Sequence, residues 1–265
     1  MQVIARPSPN YTDRTMGPID MLVLHYTGMA SGEDALARLC DPAAKVSAHY
    51  LIDEDGQIYQ LVAEEKRAWH AGVSCWAGEQ DINSRSIGIE LVNPGHDLGY
   101  RNFPELQMRR LAELCHEILL RHPIPPHRVL GHSDVAPGRK RDPGELFDWE
   151  WLAGQGIGLW PDLNSYCSSS LVSHATPTLP HQRGGALPSH SDLLPPPRGE
   201  GRGGGLDILS LQKDLASFGY DIPQTGIYGT QTRAVVTAFQ RHFRPSNVDG
   251  VADAHMVAIL QQLLT

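Results

Sequence analysis

The stretch MLVLHY, residues 21–26, is apolar but for one histidine near its end. A short run of this kind is typical of a buried strand. Working outward, Ser86–Val92 is a second strand, closed by Asn93-Pro94-Gly95, and Arg128–Gly131 is a last short one. Ala48–Ile52 and Gln57–Val62 flank Asp53-Glu54-Asp55-Gly56, which predicts a hairpin. Ser31 precedes Glu33–Cys40 and caps a predicted helix. Pro104 opens the clearest helix: Leu111, Leu114, Cys115, Ile118 and Leu119 recur at helical spacing, and Pro123 ends it. Strands interleaved with helices on this plan predict an α/β domain with a central sheet.

Composition bounds the class. The chain has 265 residues, 41% hydrophobic and 20% charged, which is ordinary for a globular protein and enough for two domains. Its net charge of -8 argues against a general nucleic-acid binder, which would show a basic face. No apolar run approaches the ~18–20 residues needed to span a bilayer. None of the four cysteines pairs as CxxC, so free thiols in a reducing compartment are expected rather than a zinc ribbon. The opening MQVIARPSPNYTDR lacks the apolar core of a secretory signal. The expected location is therefore cytoplasmic, with periplasm or cell wall as the alternative if export follows a route not visible in the chain.

Three regions separate along the chain. Residues 1–167 hold the α/β pattern. Residues 168–205 are half Pro, Gly or Ser and read as a linker, stiff at Pro195–Pro197 and loose at Gly203–Gly205. Residues 206–265 regain helical periodicity. Leu206, Leu209, Leu211 and Leu215 mark one helix, Thr230 can cap a second with Val235, Val236 and Phe239, and Asp253 a third. Three short helices around one small core are expected, and a fragment cut at the linker is expected to remain active.

Two predicted strands end in histidine, LVLH at His25 and VLGH at His132. Rigid strand backbone suits a metal ligand. The loop after His132 carries Lys140 and Asp142 and can fold back so that Asp142 meets the same ion. Two neutral imidazoles and one carboxylate leave a fourth tetrahedral position open. With 13 histidines in the chain, spacing alone does not separate these two from surface or core histidines. Taken alone, Glu90, in Ile87-Gly88-Ile89-Glu90, reads as an exposed strand-end carboxylate ahead of a catalytic one, and Lys140, between Arg139 and Arg141, as a solvated loop lysine.

The segments LVLHYTG (22–28), VSAHYLIDEDGQIYQLV (46–62), AWHAG (68–72), SIGIELVNPG (86–95), VLGHSDVAPGRKRDPG (129–144) and FDW (147–149) resemble, in order, the type-2 N-acetylmuramoyl-L-alanine amidase family, which is related to peptidoglycan recognition proteins. The resemblance implies a central mixed sheet flanked by helices. It implies a zinc ion on His25, His132 and Asp142, with Glu90 and Lys140 catalytic. His49, Tyr50, Trp69, His70 and Arg85 become candidate substrate contacts, with packing the alternative for Tyr50 and Trp69. In residues 206–265, LQKDLASFGY, the G-x-YG-x-x-T-x-x-AV-x-x-FQ pattern and DGVAD resemble the peptidoglycan-binding domain 1 family. The implied activity is hydrolysis of the amide between N-acetylmuramic acid and L-alanine in the peptidoglycan stem, by a monomer whose partners are peptidoglycan or muropeptides. The alternative is a non-catalytic peptidoglycan recognition protein.

Overall fold

The structure is a computed structural model that describes residues 2–15, 17–162 and 206–265; the expected linker, residues 168–205, lies outside them. The apolar runs become the strands β1 (Val3–Ala5), β2 (Tyr11–Asp13), β3 (Met21–Tyr26), β4 (Tyr50–Ile52), β5 (Ile58–Gln60), β6 (Lys66–Ala68), β7 (Ser86–Leu91) and β8 (Val129–Gly131). Six of them form one mixed sheet in the order β1-β5-β4-β7-β3-β8, while β2 and β6 form a separate ribbon. β3 lies between β7 and β8 and runs parallel to both. Such central strands are buried on both faces, which is why MLVLHY reads as a near-continuous apolar run. The predicted hairpin is the antiparallel pair β4–β5.

The helices of the first region are α1 (Gly32–Cys40), α2 (Ile82–Arg85), α3 (Gly95–Leu98), α4 (Glu105–Arg121), α5 (His132–Val135) and α6 (Trp149–Gly154). Ser31 caps α1 by accepting from the Asp34 amide at 3.1 Å. α4 lays Met108, Leu111, Leu114, Cys115 and Ile118 against Leu22, Leu24, Ile87 and Ile89 on one face of the sheet. Its buried Gln107 donates to the carbonyls of Ile52 and Val92, both at 3.0 Å, tying the helix to the ends of β4 and β7.

The second face carries Met21 and Val23, and it is covered by the C-terminal helices α7 (Ile208–Phe218), α8 (Thr230–Phe243) and α9 (Ala254–Leu263). The chain up to Pro161 and from Asp207 onward forms one compact unit. Leu211, Leu215, Val236, Phe239 and Ile259 do form a helical core, as the periodicity predicts. That core is continuous with Met21, Val23, Trp76, Leu130 and Val135 of the α/β part. Asp253 caps α9, as predicted, by accepting from the Met256 amide. The residue before α8 is Gly229 rather than Thr230, which is the first helical residue.

A buried polar knot holds the two parts together. Asp134, on α5, is 1% exposed. Its Oδ1 accepts from the Tyr220 hydroxyl at 2.7 Å, and its Oδ2 accepts from His242 Nδ1 and from the Gly131 amide, both at 2.7 Å. Burial and the neighbouring Asp134 charge push the Tyr220 phenol well above its ordinary pKa, so it remains a donor. The His242 ring stacks on Trp149 with centroids 3.7 Å apart. Breaking a buried hydrogen bond to a charged group typically costs about 1.5–3 kcal/mol. Tyr220→Phe is therefore expected to lower the stability of the full chain by that amount in denaturant melts. A fragment ending at residue 167 uncovers Trp76 and is expected to melt below the full chain, which revises the expectation of an independent α/β fragment. Unchanged stability in both would contradict the shared core.

Candidate functional site

Register builds the site. Period-two alternation sends Leu22 and Leu24 to the α4 face and Met21, Val23 and His25 to the other. β7 pairs in register with β3, so Val23 lies beside Gly88 and His25 beside Glu90. On the other side Leu24 pairs with Gly131, and the chain turns into α5 with His132 as its first residue. All three side chains leave the carboxyl end of neighbouring parallel strands, the edge where α/β sheets place their ligands. The loop from Pro137 to Gly144 then returns to the same point: the Ser133 amide donates to the Asp142 carbonyl at 2.9 Å.

His25, His132 and Asp142 converge and are all buried. His25 Nδ1 lies 2.9 Å from His132 Nδ1 and 3.1 Å from Asp142 Oδ2, and His132 Nδ1 lies 3.0 Å from Asp142 Oδ2. His132 Nε2 sits 3.0 Å from the Ala71 carbonyl, which only accepts, so Nε2 carries the proton and Nδ1 is bare. A carboxylate oxygen and imidazole lone pairs in mutual contact repel one another unless a cation lies among them. The separations approach the ~3.3 Å edge of a tetrahedron with ~2.05 Å metal–ligand bonds. The donor set therefore fits a metal ion. Burial, then His132, depresses His25 to a pKa of about 4, which keeps it an unprotonated donor at neutral pH.

Above these groups opens a cleft of about 360 Å³ whose walls include Tyr26, Trp69, His70, Glu90, Lys140 and Asp142. Glu90 Oε2 is buried and has no hydrogen-bond partner among the described residues. Desolvation, and then Asp142, push its carboxyl well above the ordinary range, opposed by Lys140. A carboxyl with raised proton affinity at the floor of a cleft is suited to proton transfer. Lys140 places its charge near both His25 and Glu90 and lowers the proton affinity of each.

The sequence candidates do not all gather here. Trp69 and His70 line the cleft, but His49, Tyr50 and Arg85 do not. His49 is fully buried behind His70 and accepts from the Gly88 amide at 2.9 Å, so it serves the sheet interior. Tyr50 pairs with Ile89 in register and thus faces α4; its hydroxyl donates to Glu64 at 2.7 Å. Arg85 lies at the opposite end of β7 from Glu90, paired with Asp20 and with Glu79 at 2.9 Å. Its guanidinium is used up in these ion pairs, which corrects the expectation of a substrate contact.

Other residues shape the walls without having been singled out. Arg139 donates to the carbonyls of Ala71 and Val73 at 2.7 and 2.6 Å, clamping the Trp69–Val73 segment. His96 bridges the Tyr26 hydroxyl, at 2.9 Å, to Glu145, at 3.2 Å. Its neighbour Pro94-Gly95 was read only as a strand terminator, but Gly95 is also what lets the Tyr26 ring approach: a Cβ there would lie 2.5 Å from it.

Comparison with known proteins gives concordant matches. Residues 15–145 match the N-acetylmuramoyl-L-alanine amidase family model, and residues 204–260 match that of a peptidoglycan binding domain. The chain is 38% identical over 261 residues to N-acetylmuramoyl-L-alanine amidase AmiD of Escherichia coli, covering 93% of this chain and 82% of that one. It is 41% identical over 165 residues to 1,6-anhydro-N-acetylmuramyl-L-alanine amidase AmpD of Citrobacter freundii, covering 54% of this chain and 84% of that one. The solved structure of E. coli AmiD with its substrate anhydro-N-acetylmuramic acid-L-Ala-D-gamma-Glu-L-Lys superposes with a TM-score of 0.73 at 33% identity, covering 97% of this chain and 98% of that one. That of AmpDh3 from Pseudomonas aeruginosa with anhydromuramic pentapeptide gives 0.72 at 33% identity and 94% of both chains.

Metal content separates the roles of the loop residues. Asp142→Ala is expected to lose stoichiometric metal, and Lys140→Ala to keep it, as read by atomic emission on the purified full chains. Metal loss in the lysine variant would contradict its placement outside the donor set.

Proposed function

The chain belongs to the N-acetylmuramoyl-L-alanine amidase family, and from that premise we propose that it works as a zinc enzyme. It hydrolyses the amide bond between N-acetylmuramic acid and the L-alanine of the peptidoglycan stem peptide. The observation that carries the zinc reading is the meeting of three buried lone-pair donors at 2.9–3.1 Å under a cleft that also presents Glu90 and Lys140.

His25, His132 and Asp142 would hold the ion. Zinc so held supplies Lewis acidity, which brings the pKa of a water from ~15.7 toward ~7. Glu90 has the position and the raised proton affinity to take a proton from the attacking water and return it to the leaving nitrogen. Lys140 supplies fixed positive charge where the amide oxygen gathers negative charge; loss of one such donor elsewhere costs about 10²–10³ in kcat. Trp69 and His70 form the wall against which the substrate lies. No described helix is long and apolar enough to cross a membrane. The C-terminal helices give the enzyme its hold on the wall polymer, and they share one core with the sheet.

Mass spectrometry of reaction products tests this reading. Soluble anhydro-muropeptide and intact sacculi are expected to release stem peptides beginning with L-alanine. A chelator should abolish release and added zinc restore it, and Lys140→Ala should lower kcat by about 10²–10³. Undiminished release in the presence of chelator would overturn the zinc mechanism.

A further inference from the structure

The two histidine donors must both present a bare Nδ1, and an imidazole does so only if its other nitrogen is held in the protonated state. The partners that hold them trace back to one short segment, Ile82-Asn83-Ser84-Arg85-Ser86, at the far end of β7.

The first path starts at a backbone carbonyl. Ser86 Oγ lies 2.6 Å from the Ile82 carbonyl, which only accepts, so the Ser86 proton points there. Ser86 Oγ can then offer only a lone pair to His70 Nε2, 3.2 Å away, so that nitrogen carries the proton. His70 Nδ1 is left bare, and it lies 3.0 Å from His25 Nε2. His25 Nε2 must therefore donate, which leaves His25 Nδ1 bare and facing His132 and Asp142. The ring that carries this relay fits only because residue 88 is glycine: a Cβ there would lie 2.5 Å from the His70 ring.

The second path runs through Asn83. Its Oδ1 accepts from the amides of His70 at 3.0 Å and Ala71 at 2.8 Å. Those bonds fix the backbone around Ala71, whose carbonyl receives the His132 Nε2 proton at 3.0 Å. Arg14 braces the segment itself, donating to the carbonyls of Asn83, Ser84 and Ser86 at 3.0, 2.8 and 3.0 Å. Ser86, Asn83 and His70 are all buried, so water does not compete for these bonds.

We propose that Ser86 and Asn83 are positioning residues that set the tautomer of both metal-binding histidines, Ser86 through His70 and Asn83 through Ala71. The inference rests on the metal reading above for its purpose, but the relay itself is a property of the metal-free chain. Partners of this kind change metal affinity by about 10–100-fold in other sites.

The test uses the full chain in two measurements. In the metal-free protein labelled with 15N-histidine, long-range 1H–15N spectra are expected to show His25, His70 and His132 each protonated at Nε2. A wild-type His25 protonated at Nδ1 overturns the proposal, whatever the variants do. In chelator competition, Ser86→Ala and Asn83→Ala are each expected to bind zinc about 10–100-fold more weakly, with Ser86→Thr, which keeps the hydroxyl, closer to wild type. Melting of the metal-free variants separates a loss of fold from a loss of tautomer control. Variants that fold and bind zinc as tightly as wild type overturn the proposal. A wild-type chain that shows the expected tautomers but binds no zinc leaves the relay standing and refutes the metal reading instead.

Discussion

Three electron-rich atoms held within 3.1 Å of one another, out of water, constrain everything else in this protein. Two imidazole nitrogens and a carboxylate oxygen gain nothing from each other's company; only a cation makes their meeting favourable. The sheet supplies the rigidity that keeps them together against that repulsion. β3 is central, paired on both sides, and its end carries His25 in register with Glu90. His25 and Glu90 therefore share a backbone ladder rather than a pair of loops.

The C-terminal helices are packed on the sheet through an apolar core that they share with it. α5 begins with His132 and, two residues later, presents Asp134 to Tyr220 and His242. That carboxylate also accepts from the Gly131 amide, next to His132. The C-terminal helices, tied in at this point, bear directly on the backbone that carries His132. The α/β part and the C-terminal helices are thus one compact unit with a shared core.

Much of this was legible in the sequence because the controlling features are local. MLVLHY announces a doubly buried strand, and a histidine at its end inherits the strand's rigidity. The Pro- and Gly-shaped loop between His132 and Asp142 is short enough that its return can be inferred. Family likeness then separated His25 and His132 from the other histidines, which spacing alone did not do. Arg85 does not reach the cleft, and Tyr50, open between groove and packing in the sequence, packs, both for a reason visible in the register. Tyr50 stands beside Ile89, on the face turned away from Glu90, and Arg85 lies at the wrong end of the strand. Asp134 went unread because its partners lie 86 and 108 residues away. Arg14 bonds chiefly to carbonyls, which leave no mark in side-chain identity. The three-residue strands β1, β2 and β6 are too short to show an alternation.

X-ray absorption at the zinc edge, on full chain loaded with one equivalent of zinc, addresses the central claim most directly. The account predicts a first shell of two imidazoles with nitrogen and oxygen scatterers at about 2.0–2.2 Å. Sulfur at about 2.3 Å, or a shell with fewer than two imidazoles, would contradict it.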